Sequence, residues 1–269
     1  MKKEARFLLI LFIFLFEIAS KMPLKAQDIE VGIFGGGAYY IGDINPQKHF
    51  NDIRPSFGFV GRYDLGTRWA FRFSYTNAEV QSDDSKVKYR EERMLSFKTK
   101  INDFSIITEF NFLPYFIGSK RDYFTPYIFG GVSVFLYEPQ TLDGEKLRPI
   151  QTEGKDYDKF AFSIPFGVGF KYSLAKRIGI ALEWRMHKTF TDYIDDVSDV
   201  YPGEIGGEII SNRPDLTDPS GNYQPGMQRG NENNKDWFSY AGIMITYKFR
   251  ILRKQNCNNF NQWQGGGSF

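Results

Sequence analysis

The densest run of chemically capable side chains is Thr191-Asp192-Tyr193-Ile194-Asp195-Asp196-Val197-Ser198-Asp199. The carboxylates of Asp192, Asp195, Asp196 and Asp199 could bind calcium, a hard cation that takes oxygen ligands. The run lacks the ligand spacing and the glycine of a calcium loop, so a solvated strand end or a partner contact is the expected role. His187 precedes it, and His187 with Asp192 and Asp195 is the one set that could act as acid and base. The other histidine, His49, is far off in the chain, and Cys257 is the sole cysteine, so no disulfide can form within the chain. No nucleophile elbow, Walker A loop, dinucleotide fingerprint or paired-cysteine metal site occurs. Gly35-Gly36-Gly37 lies inside an alternating run with no helix after it, which fits relief of crowding rather than a phosphate cradle. The expectation is a non-enzymatic protein that needs no cofactor.

A second set of charges is scattered: Arg62, Arg72, Glu109, Lys171, Glu183 and Arg185. Each falls on the small-residue side of an alternating segment. Such a set could be a transport site. The favoured reading is a salt-bridged plug, because unpaired charges in a closed interior are costly.

The elements that position these groups are clearest at 159–190. Phe160, Phe162, Ile164, Phe166, Val168, Phe170 and Tyr172 share one parity, with Ala161, Ser163, Pro165, Gly167, Gly169 and Lys171 between them. After a short linker, Ile178, Ile180, Leu182, Trp184 and Met186 alternate with Gly179, Ala181, Glu183, Arg185 and His187. Period-2 alternation means strands. The bulky face is continuously apolar and the other is small or charged, as in a transmembrane barrel that turns large groups to lipid. The same pattern marks strands at 29–40, 55–64, 69–80, 95–113, 123–137 and 237–249; only the facing of 123–137 is ambiguous. The expected fold is all-β, an eight-stranded antiparallel up-and-down outer-membrane β-barrel.

Composition agrees. The 269 residues are 17% aromatic, yet the mean hydropathy is negative, which a barrel reconciles because only alternate strand residues meet lipid. No apolar run is long enough for a transmembrane helix. Residues 1–26 read as a signal peptide: Lys2, Lys3 and Arg6, an apolar run at 7–16, then a polar stretch ending near Ala26. Without their five basic and two acidic groups, the rest carries 29 basic and 30 acidic residues. That leaves no excess to attract nucleic acid. The barrel is expected over 27–252 and a disordered periplasmic tail over 253–269.

Connections alternate long and short, with 41–54, 81–94, 138–158 and 191–236 outside and 65–68, 114–122 and 173–177 as periplasmic turns. A lipocalin-like barrel with the apolar face inward is disfavoured by volume, since eight strands cannot enclose so many phenylalanines.

Four phrases carry a family resemblance: 38–43 (AYYIGD), 124–132 (FTPYIFGGV), 164–172 (IPFGVGFKY) and 188–198 (KTFTDYIDDVS). Together they resemble the PorG-like barrels of Bacteroidetes, and the last phrase, with Thr191, Asp192, Tyr193, Asp195 and Asp196, is the specific one. The resemblance implies a part in the type IX protein secretion machinery, and in gliding motility where that occurs. It also implies outer-membrane lipids and a periplasmic ring, made of a lipoprotein and its partner, as neighbours. On that reading the working surface is periplasmic, with Arg68, Lys120, Arg121, Lys176 and Arg177 in the turns as partner-facing groups. The alternative is a passive small barrel, either a narrow porin or a surface adhesin.

Overall fold

In the computed structural model, residues 28–204 and 206–250 are described; the signal segment 1–26, the tail 253–269 and Cys257 lie outside them. Eight strands follow in order: β1 Asp28–Ile41, β2 Arg54–Asp64, β3 Trp69–Asp83, β4 Ser96–Asn111, β5 Phe124–Gln140, β6 Phe160–Ser173, β7 Ile178–Thr189 and β8 Trp237–Arg250. Each pairs antiparallel with its sequence neighbours, and β1 closes on β8 from Asp28↔Arg250 to Ile41↔Trp237. No edge is left unpaired, the condition for sheet to cross lipid.

Strand parity sorts the side chains. Outward stand Phe57, Phe59, Phe73, Ile106, Val132, Phe162 and Val168, each more than half exposed. Inward on the same strands are Ser56, Arg72, Ser74, Ser105 and Ser163, all nearly inaccessible. An apolar exterior around a polar interior is inverted relative to a water-soluble barrel and fits a bilayer. The chain is an outer-membrane β-barrel.

The structure corrects the sequence reading in three places. β3 and β5 run three residues beyond their apolar alternation, to Asp83 and Gln140. The outward parity toward those ends is polar (Glu79, Gln81, Glu138, Gln140), with Gln81 covered by Arg54 and Asp52, because the ladder continues after the lipid contact ends. Alternation therefore marks the membrane and not the full strand. The interior also holds more than small and charged groups, since Phe34, Tyr127, Phe129, Phe135 and Tyr240 are buried inside. Cross-strand glycines make room for them: a Cβ on Gly169 would lie 2.5 Å from the Tyr127 ring and one on Gly167 2.7 Å from Phe129.

The third correction concerns the connection expected to be a simple turn at 114–122, which spans 112–123 between β4 and β5. It folds back into the barrel mouth, burying Tyr115 and Ile117. Lys248 Nζ donates to the Ile117 carbonyl, sits 3.7 Å from the Phe116 ring centroid and pairs with Asp28 at 3.4 Å. Gly118, at φ +88°, passes so close to β6–β7 that a Cβ would meet the Lys176 carbonyl oxygen at 2.5 Å. At the opposite end, 42–53, 84–95, 141–159 and 190–236 form a folded cap whose buried apolar residues include Ile44, Val87, Leu147, Ile150, Ile194 and Val197.

Candidate functional site

Three groups of residues were singled out by sequence, and they occupy three levels of the molecule.

Inside the barrel, all six of Arg62, Arg72, Glu109, Lys171, Glu183 and Arg185 point inward and are almost wholly buried. Glu109 is the hub: it accepts from Arg62 Nε at 2.9 Å, faces Arg72 Nη1 at 3.1 Å and accepts from Lys171 Nζ at 2.5 Å. Glu183 pairs with Arg72 and lies 3.2 Å from Arg185 Nε, and it accepts a 2.8 Å hydrogen bond from the Tyr127 hydroxyl. Two carboxylates that sequence reasoning missed complete the set. Glu30 pairs with Arg62, and Asp103 lies 3.9 Å from Arg185 Nη1 and accepts from Ser105 and Ser133. With them, four cations meet four anions. Parity could have found both, since Glu30 stands between outward Ile29 and Val31, and Asp103 shares the phase of Ser105 and Ile107. Rings extend the network: Lys171 Nζ lies 4.5 Å from the Tyr127 centroid, and the Arg185 guanidinium 5.0 Å from Tyr240. Leaving one member of such a buried pair unpartnered typically costs about 3–5 kcal/mol.

In the cap, the Asp-rich run is not a solvated strand end. Asp192, Asp195 and Asp196 are buried, because the loop folds inward over the barrel. Asp195 Oδ2 lies 2.5 Å and Asp236 Oδ1 2.7 Å from the Tyr40 hydroxyl. Asp195 accepts the Val197 N–H at 3.0 Å, and Asp236 accepts that of Ile194 at 2.9 Å. Asp192 accepts from Ser198 Oγ at 2.7 Å. Asp196, itself at φ +63°, accepts from Thr152 and Tyr157, while Arg229 bridges its carbonyl at 2.6 Å and Glu153 at 3.0 Å. Tyr193 stacks on Tyr157 at 4.5 Å between centroids, and Thr191 Oγ1 lies 3.1 Å from the Tyr137 hydroxyl. Burial, then repulsion from Asp236, pushes the Asp195 carboxyl far above its ordinary range. Asp236 is raised in the same way by burial and then by Asp192. Asp192 is pushed up to about 7, chiefly by burial. The carboxyl groups are thus engaged by internal partners, with Asp195 and Asp236 sharing the Tyr40 hydroxyl. Among the described residues no group of three or more acidic, histidine or cysteine side chains is arranged to hold a metal ion. His187 is not brought to this cluster: it is buried in the barrel, 3.0 Å from Ser163 Oγ and stacked on Phe238 at 4.3 Å.

At the plugged end, Arg68, Lys120, Arg121, Lys176 and Arg177 are all exposed. Arg68 donates to the Phe112 carbonyl at 2.8 Å and Arg177 to the Tyr247 hydroxyl at 3.0 Å. These bonds tie two of the five to the wall and leave their charge in water.

Comparison with known proteins gives one family and several fold likenesses. The family described as "Domain of unknown function (DUF6089)" matches residues 7–203. No curated protein matches the chain. Among solved structures it is similar to the outer membrane protein OprG of Pseudomonas aeruginosa, at 14% identity and TM-score 0.45, covering 84% of this chain and 98% of that one. Neisserial surface protein A gives 12% identity and TM-score 0.44, covering 82% and 97%. The attachment invasion locus protein Ail of Yersinia pestis gives 12% and 0.42, covering 84% and 100%. The family match spans well over half of the sequence, and the chain belongs to the DUF6089 family.

Proposed function

We propose that this chain is a non-enzymatic outer-membrane scaffold of the type IX secretion machinery, holding a periplasmic ring of a lipoprotein and its partner at the outer membrane. The observation that carries the reading is the basic rim at the plugged end, where Arg68, Lys120, Arg121, Lys176 and Arg177 stand exposed and Arg68 and Arg177 are braced against the wall. A mostly basic surface suits an acidic partner patch. The phrase Thr191–Ser198 supports the family side of the reading, and its burial gives it the work of folding the cap. The charge-balanced lumen supports a role at the surfaces rather than through the pore.

A second reading, a passive small barrel, draws its support from the cap, which presents Ile210, Met94 and Tyr89 to the exterior. That favours its adhesin form; ion pairs spanning the lumen weigh against its porin form.

One experiment separates the two. Reversing charge with Lys120→Glu and Arg121→Glu together should weaken co-purification of the ring lipoprotein and lower cargo in the culture medium, with barrel abundance unchanged. Ile210→Asp on the cap should change neither. Normal secretion in the double variant, with loss in Ile210→Asp, would place the working surface outside the cell.

A further inference from the structure

We propose that the exterior rim of the barrel between β4, β5 and β6 binds the phosphorylated headgroup of an outer-leaflet glycolipid. A cleft of about 360 Å³ opens there on the outside of the wall, lined by Lys100, Lys146, Lys159, Asn102, Gln140 and Leu136, with Glu138 among them. The ladder sets its height. Asn102 pairs with Leu136 and Leu136 with Phe160, while Lys100 pairs with Glu138 two residues further out. Leu136 and Phe160 are each 47% exposed on the lipid side. Apolar wall therefore gives way to lysine within about 7 Å, two residues of strand rise.

The charge in the cleft is unbalanced. Glu138, its only lining carboxylate, lies 3.4 Å from Lys146 and 3.6 Å from Arg148. Lys100 and Lys159 have no ion pair among the described residues. The cleft is also fixed: Lys98 Nζ donates to the Leu142 carbonyl at 2.7 Å, Gln140 bridges Lys146, and Tyr137 N–H donates to the Lys159 carbonyl at 2.9 Å. Two uncompensated ammonium groups beside amide donors suit a multiply charged oxyanion. Inorganic phosphate has that chemistry, but the exposed apolar strip directly beneath is placed for acyl chains of the same molecule. The ligand class is thus a phosphorylated, multiply acylated sugar lipid.

The test uses the full chain, folded in detergent and exchanged into nanodiscs carrying either a bisphosphorylated lipid A or its dephosphorylated form with the same acyl chains. Lipid retained per barrel is read by native mass spectrometry. Wild type should retain the phosphorylated lipid about tenfold more than the dephosphorylated one. Lys100→Gln with Lys159→Gln should lower that retention about tenfold, while Lys120→Gln with Arg121→Gln at the other end leaves it unchanged. Heat-shifted gel mobility checks folding, and each single substitution serves the same comparison if the pair folds poorly. Equal retention of the two lipids, or wild-type retention by the double variant, overturns the proposal. Displacement by millimolar inorganic phosphate overturns it too, by showing a soluble oxyanion site.

Discussion

Tyr40 has one hydroxyl hydrogen and two carboxyl oxygens within hydrogen-bond reach, one from Asp195 and one from Asp236. It can donate to only one, so the second short contact requires a proton on a carboxyl. Asp43 and Asp192 are the further carboxyls that act on the pair, with Lys235 3.9 Å from Asp192 and Glu153 also acting on Asp192. The sign follows from the raised carboxyls. Between the unfolded value near 4 and the folded values, the native cap holds protons that an unfolded loop releases, so cap stability is greatest below about pH 4 and falls as pH rises. For Asp192 the fall runs to about 7, and the raised Asp195 and Asp236 carboxyls act in the same direction. Hydrogen exchange of the Ile194 and Val197 amides, corrected for intrinsic rate, should show protection dropping as pH rises from about 4 through about 7. Asp195→Asn, which supplies the hydrogen permanently, should flatten the drop; an unchanged slope in that variant would refute the shared proton. None of this was legible in sequence. A loop has no periodicity to report which way a carboxylate points, and Asp195 and Asp236 lie 41 positions apart. The interior charges were legible because strand parity reports facing directly.

At the scale of the element, alternation located every strand but stopped three residues short of the exterior ends of β3 and β5. Lipid contact is what forces bulky apolar groups onto one parity, and it stops before the hydrogen-bond ladder does. The facing of β5 could not be read because bulky apolar groups occupy both faces, with Phe124 and Ile128 outward and Tyr127, Phe129 and Phe135 inward. Only the cross-strand glycines of β6 explain how the inner rings fit. The connection 112–123 misled for another reason, since Tyr115 and Ile117 gain burial from β7 and β8, which are remote in the chain. Facing has a direct energetic consequence. Val168 is 52% exposed on the wall and Ala181 3% exposed inside. Val168→Arg, near the middle of β6, should cost about 2–4 kcal/mol of folding stability in a bilayer. Ala181→Ser, among inward polar groups, should cost little. Denaturant titration of the two variants in the same vesicles checks this, and equal costs would contradict the assigned facing.

At the scale of the whole molecule, β1–β8 closure joins a wall whose interior pairs cross from strand to distant strand: Arg72 of β3 to Glu183 of β7, Lys171 of β6 to Glu109 of β4, and Arg185 of β7 to Asp103 of β4. A sheet that has entered the bilayer without curling would keep the neighbour pairs Glu30–Arg62, Arg72–Glu109 and Glu183–Arg185 but break the cross-barrel ones, leaving Lys171 and Asp103 facing hydrocarbon without their counter-charges. Neutralisation and curling must therefore occur together, and the lumen acts as a checkpoint on assembly, because a half-built wall is electrically unbalanced and a wrongly registered one stays so. In refolding into vesicles, the form that resists SDS without boiling and the protease-protected form should appear at a single rate. A long-lived, membrane-inserted intermediate lacking the heat-sensitive gel shift would show that the charges can wait. If they cannot, the residues that fill this lumen are also what keeps an unfinished barrel from settling in the membrane.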